Sequence, residues 1–327
     1  MALDLLKRTE TKKGLFPIEV VGIIYGLFTT VLILILYPRM DHPADMLLER
    51  AGIGLIILLL MLIYQRYSCK LTGFLRVAFQ LGLLAYWYPD TYEFNRLFPN
   101  LDHIFARAEQ ALFGCQPAIE FGNACSSVWF SEAFNMGYFA YYPMIFGIVL
   151  FYFFARYREF YRTSFVILTS FFIYYLIYIF VPVAGPQYYF PAIGLENAMS
   201  ADFRAIGDYF NHNAELLPAP GDAQGLFYNL VEMSQKAGER PTAAFPSSHV
   251  GISTILMILA FRANSKTLVA CLFPFYVLLC CATVYIQAHY LIDAIAGFAS
   301  AFVIYAMASL VYNFFMIREM ALVKARR

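Results

Sequence analysis

"TLVACLFPFYVLLCCATVYIQAHYLIDAIAGFASAFVIYAMASLVYNFFM", residues 267–316, is almost unbroken in its apolar character. As one helix it would run about 75 Å at about 1.5 Å per residue. The hydrocarbon core of a bilayer is only about 30 Å thick. The stretch therefore folds back on itself, near residues 284–290, as two spans over 267–287 and 289–316. Working outward, further apolar runs of spanning length lie at 18–37, 47–64, 70–88, 132–154, 163–181 and 247–262. The second and sixth spans in chain order are short, and the third carries Arg76 and Gln80. The whole chain is 61% hydrophobic and 14% charged, against about 45–50% and about 25% for soluble domains. The reading is an all-α polytopic membrane protein with about eight transmembrane helices.

The connections suggest an orientation. With eight spans, fifteen lysines and arginines fall on the side of the two termini and seven on the other. By the positive-inside rule both termini are cytoplasmic, and the long loops 89–131 and 182–246 are extracytoplasmic. The basic N-terminus lacks a small-residue cleavage site after the first apolar run, so 18–37 reads as a retained span. A net charge of +1 offers no footprint for nucleic acid. Cys115 and Cys125 share a polar loop and could be bridged in an oxidising compartment. The chain divides into N-terminal helices over 1–94 and a core over 95–327.

In the first long loop, Leu101, Ile104, Phe105, Ala108, Leu112 and Phe113 recur at helical spacing, with Asp102, Arg107 and Glu109 elsewhere. This is either an amphipathic helix lying in the outer interface or a helix packed across the tops of the spans. The second loop exceeds what a connector requires and can act as a lid.

The orientation brings three ionisable residues to one membrane face. In "AFPSSHVG" (244–251), His249 opens the sixth span from the outer side. In "AHYLIDAIAG" (288–297), His289 and Asp293 open the eighth from the same side, four apart on one helical face. An aspartate that accepts from one imidazole nitrogen frees the other for attack or proton transfer. Ser247 and Ser248 can cap the helix, and its unpaired amides offer a cradle for phosphate. Lys236 and Arg240, just upstream, could hold further phosphate charge. Taken singly, these features are a buried pair, a helix cap and solvated loop charges; together they fit in-line displacement at phosphorus. A zinc site from His249, His289 and Asp293 is the metal alternative.

These segments, with "LDHIFARAEQALFG" and "VPVAGPQYY", resemble the type 2 phosphatidic acid phosphatase superfamily over roughly 95–316, nearest its inositol phosphorylceramide synthase branch. The resemblance implies that His289 is the nucleophile, oriented by Asp293. His249 is the acid toward the leaving alkoxide, Ser247 and Ser248 hold phosphate oxygens, and no metal or cofactor is needed. Two cations of the phosphatase pattern are missing: Met233 stands where its lysine would be, and Ala282-Thr283 where its Ser-Arg pair would be. Arg240, Lys236 and Arg204 are the candidates to neutralise the phosphate. The expected activity is transfer of phosphoinositol from phosphatidylinositol to ceramide, with lipid substrates and the bilayer as partners. The alternatives are a lipid phosphate phosphatase, acting on phosphatidic acid or a polyprenyl pyrophosphate, and a non-catalytic lipid transporter or scaffold.

Overall fold

The computed structural model of the protein describes residues 5–221 and 224–325. Among them every named element is helical. First come α1 (Pro17–Leu36), α2 (Pro43–Arg66), α3 (Lys70–Gly82) and α4 (Leu84–Asn95). Two short helices follow, α5 (Asp102–Phe113) and α6 (Pro117–Ala124), then α7 (Val128–Phe139), α8 (Tyr141–Ala155) and α9 (Tyr157–Phe180). The second long connection holds α10 (Pro186–Ile193), α11 (Leu195–Met199) and α12 (Leu226–Gly238). The chain ends with α13 (Ser248–Arg262), α14 (Lys266–Tyr285) and α15 (Leu291–Ala325).

Among the described residues five helices are long and apolar enough to cross a membrane: α1, α2, α9, α14 and α15. The pair α7 and α8, bent by 42° at Ala140, makes a sixth if it is one span. The protein is an integral membrane protein by this measure. The sequence reading counted eight, and the difference lies in two places. The third expected span is broken at Leu83 into α3 and α4. The sixth is α13, whose 15 residues reach only about 22 Å. The reversal expected near 284–290 is present, between α14 and α15. Cys115 and Cys125 are separate thiols.

The described chain forms two compact units. One gathers the chain up to Tyr86, Tyr152–Phe172 and the chain from Met307 onward. Its buried centre is the Arg76 guanidinium, which donates from Nε to Glu19 Oε1 at 2.7 Å and from a terminal nitrogen to the Gly14 carbonyl at 2.9 Å. The same guanidinium lies 3.7 Å from the Phe16 ring centroid. A charge inside an apolar helix is tolerated when it is paired in this way.

The second unit comprises Trp87–Phe151 and Ile173–Ala306. In it α14 packs along α7 and α13, and α12 packs along α7. Here α5 turns its acids inward: Asp102, Ala106 and Glu109 are buried, whereas Leu112 is 70% exposed. The Asp102 carboxylate accepts from the amides of Ala184 and Gly185, at 2.7 and 2.8 Å, and from the Tyr290 hydroxyl at 3.0 Å. Glu109 accepts from the amides of Leu291 and Ile292, two of the unpaired donors that open α15. One short helix thus fixes both the loop after α9 and the start of α15. Gly185 has φ +93°, and a Cβ there would press on the Ala288 carbonyl, so the loop closes against the residue before His289.

Replacing Asp102 with Ala would leave four buried donors without their acceptor, the Asn100 side-chain amide at 2.6 Å among them. Thermal unfolding in detergent should show a loss of about 3 kcal/mol or more, with Asp102→Asn losing less. An unchanged midpoint for D102A would remove Asp102 from this role.

Candidate active site

Pro246, Ser247 and Ser248 end the loop and start α13, which sets His249 in the first turn. The Ser247 side chain caps the helix by accepting from the Val250 amide at 3.3 Å. The Ser248 amide donates to the Tyr178 hydroxyl at 3.0 Å, and that hydroxyl donates to the Pro246 carbonyl at 3.0 Å. The Ser247 amide donates to the Asp293 carbonyl at 3.0 Å. Three of the four free amides of this turn are therefore spent on seating the helix. Only the His249 amide is without such a bond among the described residues, so the anion cradle expected from the sequence is largely filled by protein.

The Ser247–Asp293 bond ties the start of α13 to the first turn of α15. A Cβ on Gly297, one turn further along α15, would collide with the Ser247 carbonyl. This close approach sets the two histidines beside each other. Their ring centroids are 5.8 Å apart, with the planes at 62°. The His249 ring is held between Tyr138, at 4.6 Å and 24°, and Tyr141, at 4.4 Å and 41°.

His289 is not on the helix. It lies in the connection before α15, where Gln287 adopts a left-handed φ of 64° and the His289 amide returns to the Thr283 carbonyl at 3.0 Å. The helical-face argument for His289 and Asp293 therefore does not hold. The helix starts after the histidine, and Asp293 is the third residue of its first turn. There it accepts from the Tyr290 amide at 3.0 Å, half of a capping box. Its Oδ2 stands 3.7 Å from His289 Nδ1, and its Oδ1 has no partner among the described residues. Nδ1 of His289 is instead 2.8 Å from the Ala244 carbonyl. A carbonyl only accepts, so Nδ1 carries the proton and Nε2 keeps its lone pair. Burial pulls this imidazole down to about 4, partly countered by the Ala244 bond and the Glu239 carboxylate. It is neutral near pH 7.

His249, His289 and Ser248 line one cleft with Thr242, Glu239 and Arg240. The Thr242 hydroxyl is buried there without a partner among the described residues. Arg240 is the lysine or arginine of the lining, its guanidinium donating to the Glu239 carbonyl at 3.1 Å. The other two proposed cations lie elsewhere. Lys236 pairs with Glu232 at 2.9 Å on the exposed side of α12, and Arg204 donates to the Ile193 carbonyl at 2.9 Å. Met233 is 66% exposed and Thr283 is fully buried, so neither position substitutes for a phosphate-binding cation.

Sequence reasoning passed over Glu239, Tyr138 and Tyr141. Glu239 reads as one more loop charge, although its place directly before Arg240 is a signal. The tyrosines are hidden in a chain with 25 of them.

The model of the PAP2 superfamily matches residues 103–307, more than half of the chain. The chain belongs to the PAP2 superfamily. That stretch contains α6 to α14, both histidines and Asp293. Membership makes this a membrane-bound lipid enzyme of the phosphatase and phosphotransferase type. No curated protein and no solved structure matches the chain.

Histidine titration followed by NMR on ¹³C-labelled protein should place His289 near pH 4, well below the ordinary value of about 6.5. A midpoint at the ordinary value would show that the imidazole is solvated and the cleft open around it.

Proposed function

We propose that the protein moves a phospho-head group from one lipid to another through a phosphohistidine, and that the pair is phosphatidylinositol and ceramide. The observation that carries the reading is the facing of His249 and His289 at 5.8 Å, with Nδ1 of His289 occupied by the Ala244 carbonyl. In the first step Nε2 of His289 attacks phosphorus and the bond to the diacylglycerol oxygen breaks. His249, protonated in the substrate complex, gives its proton to that oxygen. In the second step His249 takes the proton of the acceptor's primary hydroxyl. The new P–O bond forms as the P–N bond breaks, which returns His289 to its starting state.

Arg240, the Thr242 and Ser248 hydroxyls and the His249 amide are positioned to receive the phosphoryl oxygens. Asp293 acts on His289 as a nearby charge, not as its hydrogen-bond partner. Lys236 and Arg204 would meet substrate only through their long side chains. The absence of cations at positions 233 and 283 supports transfer over hydrolysis, because fewer charges remain to hold a free phosphate dianion. Exclusion of water from a narrow cleft favours the same outcome.

The membrane arrangement belongs to the same proposal. Eight crossings, with the broken α3–α4 and the short α13 counted, put both termini in the cytoplasm and the cleft on the extracytoplasmic side. The outward apolar side of α5, with Ile104 and Leu112, then lies at the outer interface. Residues 95–327 form the catalytic core and 1–94 an added helical section.

The test uses purified protein in vesicles with head-group-labelled phosphatidylinositol and ceramide. The expected result is a new labelled lipid together with diacylglycerol, reduced by about 10²–10⁴-fold in either His249→Ala or His289→Ala. Release of labelled water-soluble phosphate with no new lipid would replace transfer with hydrolysis. Full activity in H289A would end the phosphohistidine mechanism.

A further inference from the structure

Glu239 follows α12 on the wall of the cleft that holds both histidines. Its carboxylate accepts from the Tyr138 hydroxyl at 2.9 Å and from Gln187 Nε2 at 3.2 Å. Gln187 is itself held, its Oε1 accepting from Gln235 Nε2 at 3.1 Å, so its amide presents a donor to Glu239. The backbone amide of Glu239 donates to the Gln235 carbonyl at 2.8 Å. The carboxylate is therefore held by neutral donors from α7 and α10, and the residue itself is tied to the end of α12 through its backbone. Among the described residues it has no ion pair, although Arg240 is its neighbour in sequence. Tyr138 links it to the chemistry, since the same ring stacks on His249.

Burial raises the Glu239 carboxyl, and the Tyr138 and Gln187 bonds and the nearby His289 work against that rise. In its ionised form it weakens binding of every phosphate beside it, in proportion to the ligand's charge. A phosphodiester carries one negative charge at neutral pH. A phosphomonoester, with its second ionisation near about pH 6, carries close to two. Against this wall stand one arginine and two imidazoles, of which His289 is neutral near pH 7. The lining thus has about enough positive charge to balance its own carboxylate, and little to spare for a dianion.

We infer that Glu239 is a charge filter, a carboxylate fixed on the cleft wall that admits singly charged phosphodiester lipids and turns away doubly charged phosphomonoesters. The inference rests on the phosphotransfer reading above and makes it more specific. The second charge of a monoester, several ångströms from the carboxylate in a medium of intermediate polarity, should weaken its binding by between about tenfold and about a hundredfold. The filter keeps simple phosphate monoesters from occupying the site, and it names a residue that separates diester transfer from monoester hydrolysis.

Two phospholipids of the same acyl chains test the filter: phosphatidic acid and its methyl diester, phosphatidylmethanol. Both are titrated in mixed vesicles at pH 7.5 as inhibitors of head-group transfer. Their binding is also read without turnover, by protection of His289 from diethyl pyrocarbonate. The wild-type protein should bind the methyl diester at least about tenfold more tightly than phosphatidic acid. In Glu239→Gln that preference should shrink to about twofold or less, while Glu239→Asp, which keeps the charge, should retain it. Equal binding of the two lipids by wild type would overturn the filter without any variant. So would an E239Q preference equal to that of wild type, or identical shifts in E239Q and E239D. A wild-type protein that shows the lipid preference but transfers no head group would instead remove the phosphotransfer reading and leave the filter standing.

Discussion

One backbone hydrogen bond organises the unit that holds both histidines: the Ser247 amide to the Asp293 carbonyl, 3.0 Å long. It joins the first turn of one helix to the first turn of another, and it forms only because Gly297 lets the two backbones touch. Each helix start carries its own histidine, one just inside the helix and one just before it. Pinning the starts together therefore sets the distance between the imidazoles. The tyrosines around His249 and the Ala244 carbonyl beside His289 then fix ring orientation. Three of the four amides at the start of α13 are consumed in the process, and only that of His249 is left among the described residues.

Two acids of α5 support this arrangement from outside it. Asp102 gathers the Ala184 and Gly185 amides and the Tyr290 hydroxyl, and Glu109 gathers the first amides of α15. Buried carboxylates are costly unless their lone pairs are filled. Here Asp102 and one oxygen of Glu109 are filled by donors that would otherwise be orphaned at a loop and a helix end, while Glu109 Oε2 has no partner among the described residues. The helix consequently looks inverted by the standards of a soluble protein. Its two acids face protein, while Ile104 and Leu112 on its apolar side face out.

The first unit solves a related problem with a different pairing. Arg76 lies in what reads as an apolar run, and the Glu19 carboxylate and the Phe16 ring surround its guanidinium. The pair links α1 and α3 through a charge that neither helix could bury alone.

The amino-acid sequence by itself determined the all-helical membrane class, the reversal between α14 and α15, and the presence of His249, His289 and Asp293 near chain reversals. Each of these depends on local pattern: apolar run length, capping residues and motif spacing. The tertiary structure decided what the pattern left open. Spacing of four suggested a helical His–Asp pair, but the helix begins at Leu291, and the start of a helix is set by what caps it, here Asp293 and the distant Glu109. Of three candidate cations only Arg240 reaches the cleft, because a loop charge goes where its chain is tied. Glu239, unremarkable in sequence, becomes part of the site because Tyr138 and Gln187, 101 and 52 residues away, converge on its carboxylate. Contacts between residues so far apart in the chain leave no periodicity to read, and only the packed helices bring them together.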